Sequence, residues 1–210
     1  MKNLFFGGSS EIALKLADKI KNVENIARSK SKLYSKNHVV KNYNKLEVEK
    51  ILKRINKKFD NMAIFNGSFS GSFLSNFSEK EFDEIFNINF KIPILIAQLA
   101  IENKVINNNG SIFFISSVAG ESSKTGNAYY SIAKNSLNFA AKILGNEQRK
   151  RGVRVNVITL GIVQNKMGQK ALNINVNKKK VIIYKNDKFL NKIVSIFNNK
   201  NLNLKKIIIK

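Results

Sequence analysis

Between Asn3 and Ile209 short apolar runs alternate with stretches whose apolar residues recur at helical spacing, and this alternation limits the fold more than any other feature. Asn3–Phe6 reads as a buried strand, followed by a helical segment to about Ile20 and by strands at Val23–Ala27 and His38–Lys41. Leu46–Ile55 is helical, with Val48, Ile51, Leu52 and Ile55 on one face. Met62–Phe65 is a further apolar run, and residues 79–107 read as one or two helices, with the single proline, Pro93, at a kink or a helix start. Ser111–Ile115 then reads as a buried strand, Asn127–Lys150 as a long helix and Val153–Ile158 as a strand. Beyond Gly161 the pattern weakens, leaving a helix at Lys188–Asn198 and a last strand at Lys206–Ile209. Strands joined through helices rather than hairpins run parallel, so the sequence predicts an α/β, doubly wound, mostly parallel sheet with helices on both faces.

At 210 residues the chain suits a single domain, 1–210, and neither an internal repeat nor a linker divides it. The absence of cysteine excludes disulfide frameworks and cysteine-based metal or redox sites. No metal site is expected, and His38, the one histidine, has no assigned role. Residues 1–6 have neither the length nor the cleavage pattern of a signal peptide, and no uninterrupted apolar run reaches bilayer length. A reducing cytoplasm is the expected home.

Charge is the loud feature of the composition: 37 Lys+Arg against 14 Asp+Glu, a net +23. Such an excess fits an acidic partner, nucleic acid or an anionic surface. Yet Lys, Asn, Ile and Phe are all abundant and Trp is missing, a bias that an AT-rich coding sequence produces. The lysines are scattered, without the aromatic interleaving that stacks bases, so no specific nucleic-acid partner is expected. Residues 165–210 concentrate the effect, with twelve Lys against the single acid Asp187.

Phe6-Gly7-Gly8-Ser9-Ser10-Glu11-Ile12-Ala13 places a glycine turn between a strand and a helix. That arrangement binds dinucleotide phosphates, because the backbone approaches closely and the helix N-terminus offers free N–H groups and partial positive charge. Ser9 and Ser10 can cap the helix or donate to phosphate. The second strand ends at Ala27-Arg28-Ser29. An acid here would bind the ribose hydroxyls of NAD, whereas Arg28 favours the 2′-phosphate of NADP.

Tyr130-Ser131-Ile132-Ala133-Lys134 sets a phenol and an ammonium four residues apart on one helix face. Such a Lys lowers the Tyr pKa toward working pH, as acid/base exchange with an alcohol or carbonyl requires. Ser111–Ser117 ends a buried strand in two serines, at the sheet end where α/β proteins place their sites. Ser117 lies thirteen residues before Tyr130, and this spacing favours it over Ser116; Tyr129 faces Ala133 instead, leaving Tyr130 as the candidate.

These segments together resemble the short-chain dehydrogenase/reductase family, in particular its 3-oxoacyl-carrier-protein reductases, over roughly residues 2–167. Gly7 matches the first glycine of the family's Thr-Gly-x-x-x-Gly-x-Gly loop, with Glu11 and Ala13 in place of the other two and Ile12 between them. Asn66-Gly67 is similar to its Asn-Asn-Ala-Gly segment, Asn89 to the helix Asn that holds a relay water, and Leu160-Gly161 to its Pro-Gly beside the nicotinamide. Asn42 stands where the family carries an Asp on adenine, and Asn165 where a Thr contacts the carboxamide.

The resemblance implies a Rossmann-like fold and hydride transfer between NADP, in preference to NAD, and a small-molecule carbonyl or alcohol. Asn89, Ser117, Tyr130 and Lys134 would be catalytic; Gly7, Ser9, Ser10, Ile12, Arg28, Asn42, Asn66, Gly67, Tyr130, Lys134 and Gly161 would hold the cofactor. It also implies a homodimer or homotetramer built on the helices near 89–108 and 127–150. Residues 168–210 depart most: Gly168–Ile183 is short and polar where relatives carry a substrate lid. Glu11, Leu160 and that shortened stretch leave room for a rival, a fold-retaining member that acts as a binding or structural subunit.

Overall fold

The computed structural model describes residues 1–174, 183–184 and 187–209. Seven strands form one parallel sheet: β1 (Asn3–Phe6), β2 (Val23–Ala27), β3 (Lys36–Val39), β4 (Phe59–Ile64), β5 (Ile106–Ser117), β6 (Arg154–Leu160) and, near the C-terminus, β9 (Lys206–Ile208). Their order is β3-β2-β1-β4-β5-β6-β9, and all six pairings are parallel. Between β1 and β4 the winding changes direction, which opens a crevice at the carboxyl ends of those strands. A separate short pair, β7 (Ile162–Val163) and β8 (Ile183–Tyr184), lies beyond β6.

Strand alternation divides the core in two. Leu4, Phe6, Met62, Ile64, Ile112 and Phe114 face one layer with α2 (Lys45–Ile55), α4 (Ile92–Glu102) and α5 (Ala128–Glu147). Phe5, Ala63, Phe113 and Ile158 face the other, with α1 (Glu11–Lys19) and α7 (Lys188–Asn198). Strands buried on both faces read as continuous apolar runs, and for that reason the sequence showed them clearly.

Differences from the sequence reading fall at element ends. β3 begins at Lys36 rather than His38, and β5 begins at Ile106 through an irregular stretch in which Asn109 takes φ 62°. Residues 79–102 form one continuous run: α3 (Glu79–Phe86), a π-turn at Asn87–Lys91, then α4, with Pro93 in its first turn, where the missing N–H costs nothing. An 18-residue window of this run, with mean hydropathy 1.4, is long and apolar enough by composition to cross a membrane, although charged residues such as Lys91 keep the run from being uninterruptedly apolar. Ile96, Ala97, Leu99 and Ala100 are buried in the sheet-packed core instead.

Past Gly161, where the sequence pattern fades, the chain forms α6 (Lys166–Ile174). Asn165 caps it, its Oδ1 accepting the Gly168 N–H at 2.8 Å. Residues 175–182, 185–186 and 210, which belong to the stretch expected to be a shortened lid and last strand, lie outside the described residues.

Candidate functional site

The carboxyl ends of β1, β4, β5 and β6 frame a cleft with two lobes, of about 280 and 500 Å³. Ser10, Glu11, Phe65, Asn66, Gly67, Asn165 and Met167 wall both.

The smaller lobe holds the predicted reacting groups. Ser117 ends β5 in extended conformation, and its Oγ accepts the Ala119 N–H at 3.2 Å. Accepting that N–H leaves the hydroxyl proton available in the lobe that Tyr130 also lines. Tyr130 and Lys134 lie one turn apart on the buried face of α5, with the ammonium 5.7 Å from the phenol ring centre. Lys134 Nζ donates to Ile115 O at 3.1 Å.

Burial dominates the electrostatics of this pair. It pushes Tyr130 up to about 12, against the pull of Ser117, and pushes Lys134 down to about 8. The lowered Tyr pKa read from the sequence therefore does not hold. Tyr129, in contrast, is structural: its hydroxyl accepts from Ser78 N at 2.6 Å and donates to Asn76 O at 3.4 Å.

Asn89 sits in the π-turn, fully buried. Its amide donates to Ser68 O (2.8 Å) and Ile85 O (2.9 Å), while Oδ1 accepts from Ser68 N (3.2 Å). The side chain thus clamps the turn after β4, and both of its hydrogens are already spent. A Cβ on Gly67 would stand 3.2 Å from Asn89 Oδ1 and 3.5 Å from Lys134 Nζ, so glycine keeps this corner open.

Several wall residues escaped the sequence reading. Phe69 packs edge-on to Tyr130 at 5.2 Å, and Gly120 lets the β5–α5 link touch the α5 backbone, where a Cβ would come 2.9 Å from Asn135 N. Met167, Gly168 and Ala171 of α6 line the lobe together with Tyr130. Their signal was present: Met167, Ala171 and Ile174 repeat at i, i+4 and i+7. Leu160, in place of proline, carries β6 one pair further, opposite Ser117.

The larger lobe holds Gly7, Ser9, Arg28 and Asn42, while Ser10, Asn66 and Gly67 serve both lobes and Ile12 and Gly161 line the smaller. Gly7 has φ +70°, and a Cβ there would lie 2.9 Å from Asn66 N, so the turn admits no side chain. Ser10 caps α1, its Oγ accepting Ala13 N–H at 3.3 Å. Arg28, Lys41 and Lys166 give the lobe three cations. Glu11 is exposed, yet it lines both lobes rather than turning wholly away. Asn66 Oδ1 is buried and without a hydrogen-bond partner, an acceptor in the shared wall. Bare glycine backbone, a helix N-terminus, an orphan acceptor and a cationic rim together fit a dinucleotide. Among the described residues no cluster of His, Cys, Asp or Glu could hold a metal ion.

Residues 6–175 match the family model described as short chain dehydrogenase. The chain is 28% identical over 160 residues to a 3-oxoacyl-[acyl-carrier-protein] reductase of Rickettsia conorii, a match covering 75% of this chain and 65% of that protein. A reductase of the same name from Rickettsia felis is 26% identical over 185 residues, covering 87% of this chain and 70% of that one. Among solved structures, a short chain dehydrogenase from Salmonella enterica serovar Typhi superposes with a TM-score of 0.86 at 15% identity, over 100% of this chain and 96% of the other. The lin1944 protein of Listeria innocua gives 0.80 at 16% identity over the whole of both chains. At such identities the structural likeness establishes the fold.

Proposed function

The chain belongs to the short chain dehydrogenase family, and on that premise we propose that it is an NAD(P)-dependent oxidoreductase, preferring NADP, that interconverts a carbonyl and an alcohol. One observation carries the reading. Ser117, Tyr130 and Lys134 converge on a mainly apolar lobe that opens into a second, cation-rimmed one. A nicotinamide dinucleotide bound across the two supplies hydride chemistry.

The residues then divide the work. Tyr130 passes its proton to the carbonyl oxygen, or takes one from the alcohol in the reverse direction. Ser117 donates to the same oxygen and offsets its developing charge. Lys134, held by Ile115 O, favours the phenolate that proton loss creates at Tyr130. Asn89 fixes the Ser68 backbone and so the Gly67 corner beside Lys134; any water link here runs through main-chain atoms, because its amide hydrogens are occupied. Arg28, with Lys41 and Lys166 nearby, favours a 2′-phosphate. Phe69, Val118, Ile162, Val163 and Met167 favour an uncharged, largely apolar substrate, such as a ketone or the oxoacyl thioesters that the relatives' names indicate.

Exposed Phe139 and Ile143 on α5 support association of copies through that helix, and a cysteine-free chain suits a reducing cytoplasm. Light scattering on the purified protein tests the first point. Titration with NADPH and NADH, read by nicotinamide fluorescence, tests the function, followed by a screen of ketones and oxoacyl thioesters. Tight NADPH binding with turnover is the expected result. Failure to bind either dinucleotide favours the reading as a binding or structural subunit, the one to which Glu11 in the cleft lends weight.

A further inference from the structure

The segment after β3 reaches farther into the cleft than its sequence indicates. Tyr43 lies between Asn42 and Asn44, and the backbone on both sides of it is fixed. Glu47 Oε2 accepts the N–H groups of Lys41 (2.8 Å) and Asn42 (3.1 Å), while Asn44 Oδ1 accepts Glu47 N–H at 2.9 Å and caps α2. The half-buried ring packs on the core and borders the larger lobe beside Arg28 and Asn42. Its hydroxyl donates to Ile26 O at 3.2 Å and accepts the Gly7 N–H at 3.2 Å. One hydroxyl thus joins two separate segments of the cleft, donating to one and accepting from the other.

We propose that Tyr43 is the positioning residue of the dinucleotide cleft. Its hydroxyl ties the glycine turn to the end of β2 in the lobe that Asn66 and Gly67 also line, and its ring forms the floor of the adenosine half. This rests on the proposed cofactor reading and extends it to a residue that no family motif marks in this chain. Two consequences follow from the geometry. Gly7, at φ +70°, shares its N–H between Ile26 O (3.1 Å) and the hydroxyl of a side chain thirty-six residues away, in a turn that lacks two of the three glycines expected there. Asn66, in the same lobe as the Tyr43 ring, presents its buried Oδ1 as a partnerless acceptor of the wall. Tyr34 acts from the other side, donating to Gly8 O at 2.6 Å, so two phenols grip one turn.

The test divides the cofactor into its halves. Tyr43→Phe keeps the ring and removes the hydroxyl; affinities for NADPH, 2′,5′-ADP and reduced nicotinamide mononucleotide are measured by titration, with thermal unfolding alongside. The expected result is about fivefold weaker NADPH and 2′,5′-ADP binding, the loss typical of one hydrogen bond, with the mononucleotide unaffected. Tyr43→Met, which also removes the ring, should weaken 2′,5′-ADP further, and it stands in if the Phe variant does not fold. Unchanged 2′,5′-ADP affinity in a folded variant, or equal losses for both halves, overturns the proposal and leaves the cofactor reading intact. A wild-type protein that binds no dinucleotide overturns both.

Discussion

At the catalytic end of the cleft the reacting groups come from one strand and one helix, whereas at the cofactor end they are gathered from four separate segments. Ser117 closes β5, and Tyr130 and Lys134 share a turn of α5. Across the cleft, Gly7, Arg28, Tyr43 and Asn66 come from four different connections, and the Tyr43 hydroxyl bonds Gly7 N and Ile26 O, thirty-six and seventeen residues away. The two ends also differ in solvation. Lys134 is fully desolvated and its pKa is depressed, while Arg28 and Glu11 stand in water. Buried chemistry is therefore expected to respond to single substitutions steeply, and the exposed charges shallowly.

The steepest test lies at the buried end. Tyr130→Phe removes the transferable proton and little else, and turnover is expected to fall by about a thousandfold, within the usual range for acid/base groups. NADPH titration should give nearly the wild-type affinity. A variant with retained turnover would remove Tyr130 from the chemistry and erase the contrast between the two ends.

A second test moves across the cleft. Arg28→Asp is expected to weaken NADPH by about ten- to a hundredfold, the worth of a charge-assisted hydrogen bond, with NADH little changed. Lys41 and Lys166 line the same lobe and will retain part of the attraction. The ratio of the two dissociation constants is the measurement. A ratio equal to that of the wild type would show that Arg28 is an ordinary surface cation of a basic chain.

What could be read from the sequence follows the same divide. Tyr130 and Lys134 were legible as a pair because i, i+4 spacing is a local property; both line the smaller lobe, whereas the Tyr129 hydroxyl bonds Ser78 and Asn76. The central strands were legible because they are apolar on both faces, as at Phe5 and Phe6 or Phe113 and Phe114. Tyr43 and Tyr34 were not, since their bonds to the glycine turn exist only once β1, β2 and β3 are assembled. α6 was passed over because lysines and Gly168 interrupt it, although its cap and apolar spacing were present. The Tyr130 pKa was misread for a related reason: a neighbouring Lys is visible in sequence, and burial is not.

Acidity supplies a third test, intermediate in size. Lys134 is held near 8 by burial, so it is charged below that pH and neutral above it. Tyr130, near 12, stays protonated throughout and can donate. The ammonium stabilises the phenolate formed in reduction, so kcat/KM for carbonyl reduction should be flat below about pH 8 and fall above it, by about tenfold per unit. A profile flat through about pH 8 to 10 would disconnect Lys134 from the rate. Folding stability should respond oppositely. A lysine with a depressed native pKa binds its proton more readily when unfolded, so its penalty shrinks as pH rises from about 8 toward the ordinary lysine value.

The smallest effect belongs to Glu11, and its sign is the informative part. The carboxylate occupies the first turn of α1, where free N–H groups and partial positive charge would otherwise serve a diphosphate. It is exposed, so solvent and salt weaken its repulsion to about 1 kcal/mol, a factor of about five. Glu11→Gln is therefore expected to tighten NADPH about three- to fivefold at low salt, and less as salt is added. The same substitution removes a favourable acid from the helix start and should lower stability by about 0.5 kcal/mol. Tighter binding in a slightly less stable protein is a combination that general loosening of the turn cannot produce, because loosening weakens both. Weaker NADPH binding in Glu11→Gln would mean that the carboxylate helps shape the loop rather than opposing the ligand. The cofactor end would then depend on Glu11 as well as on its two tyrosines.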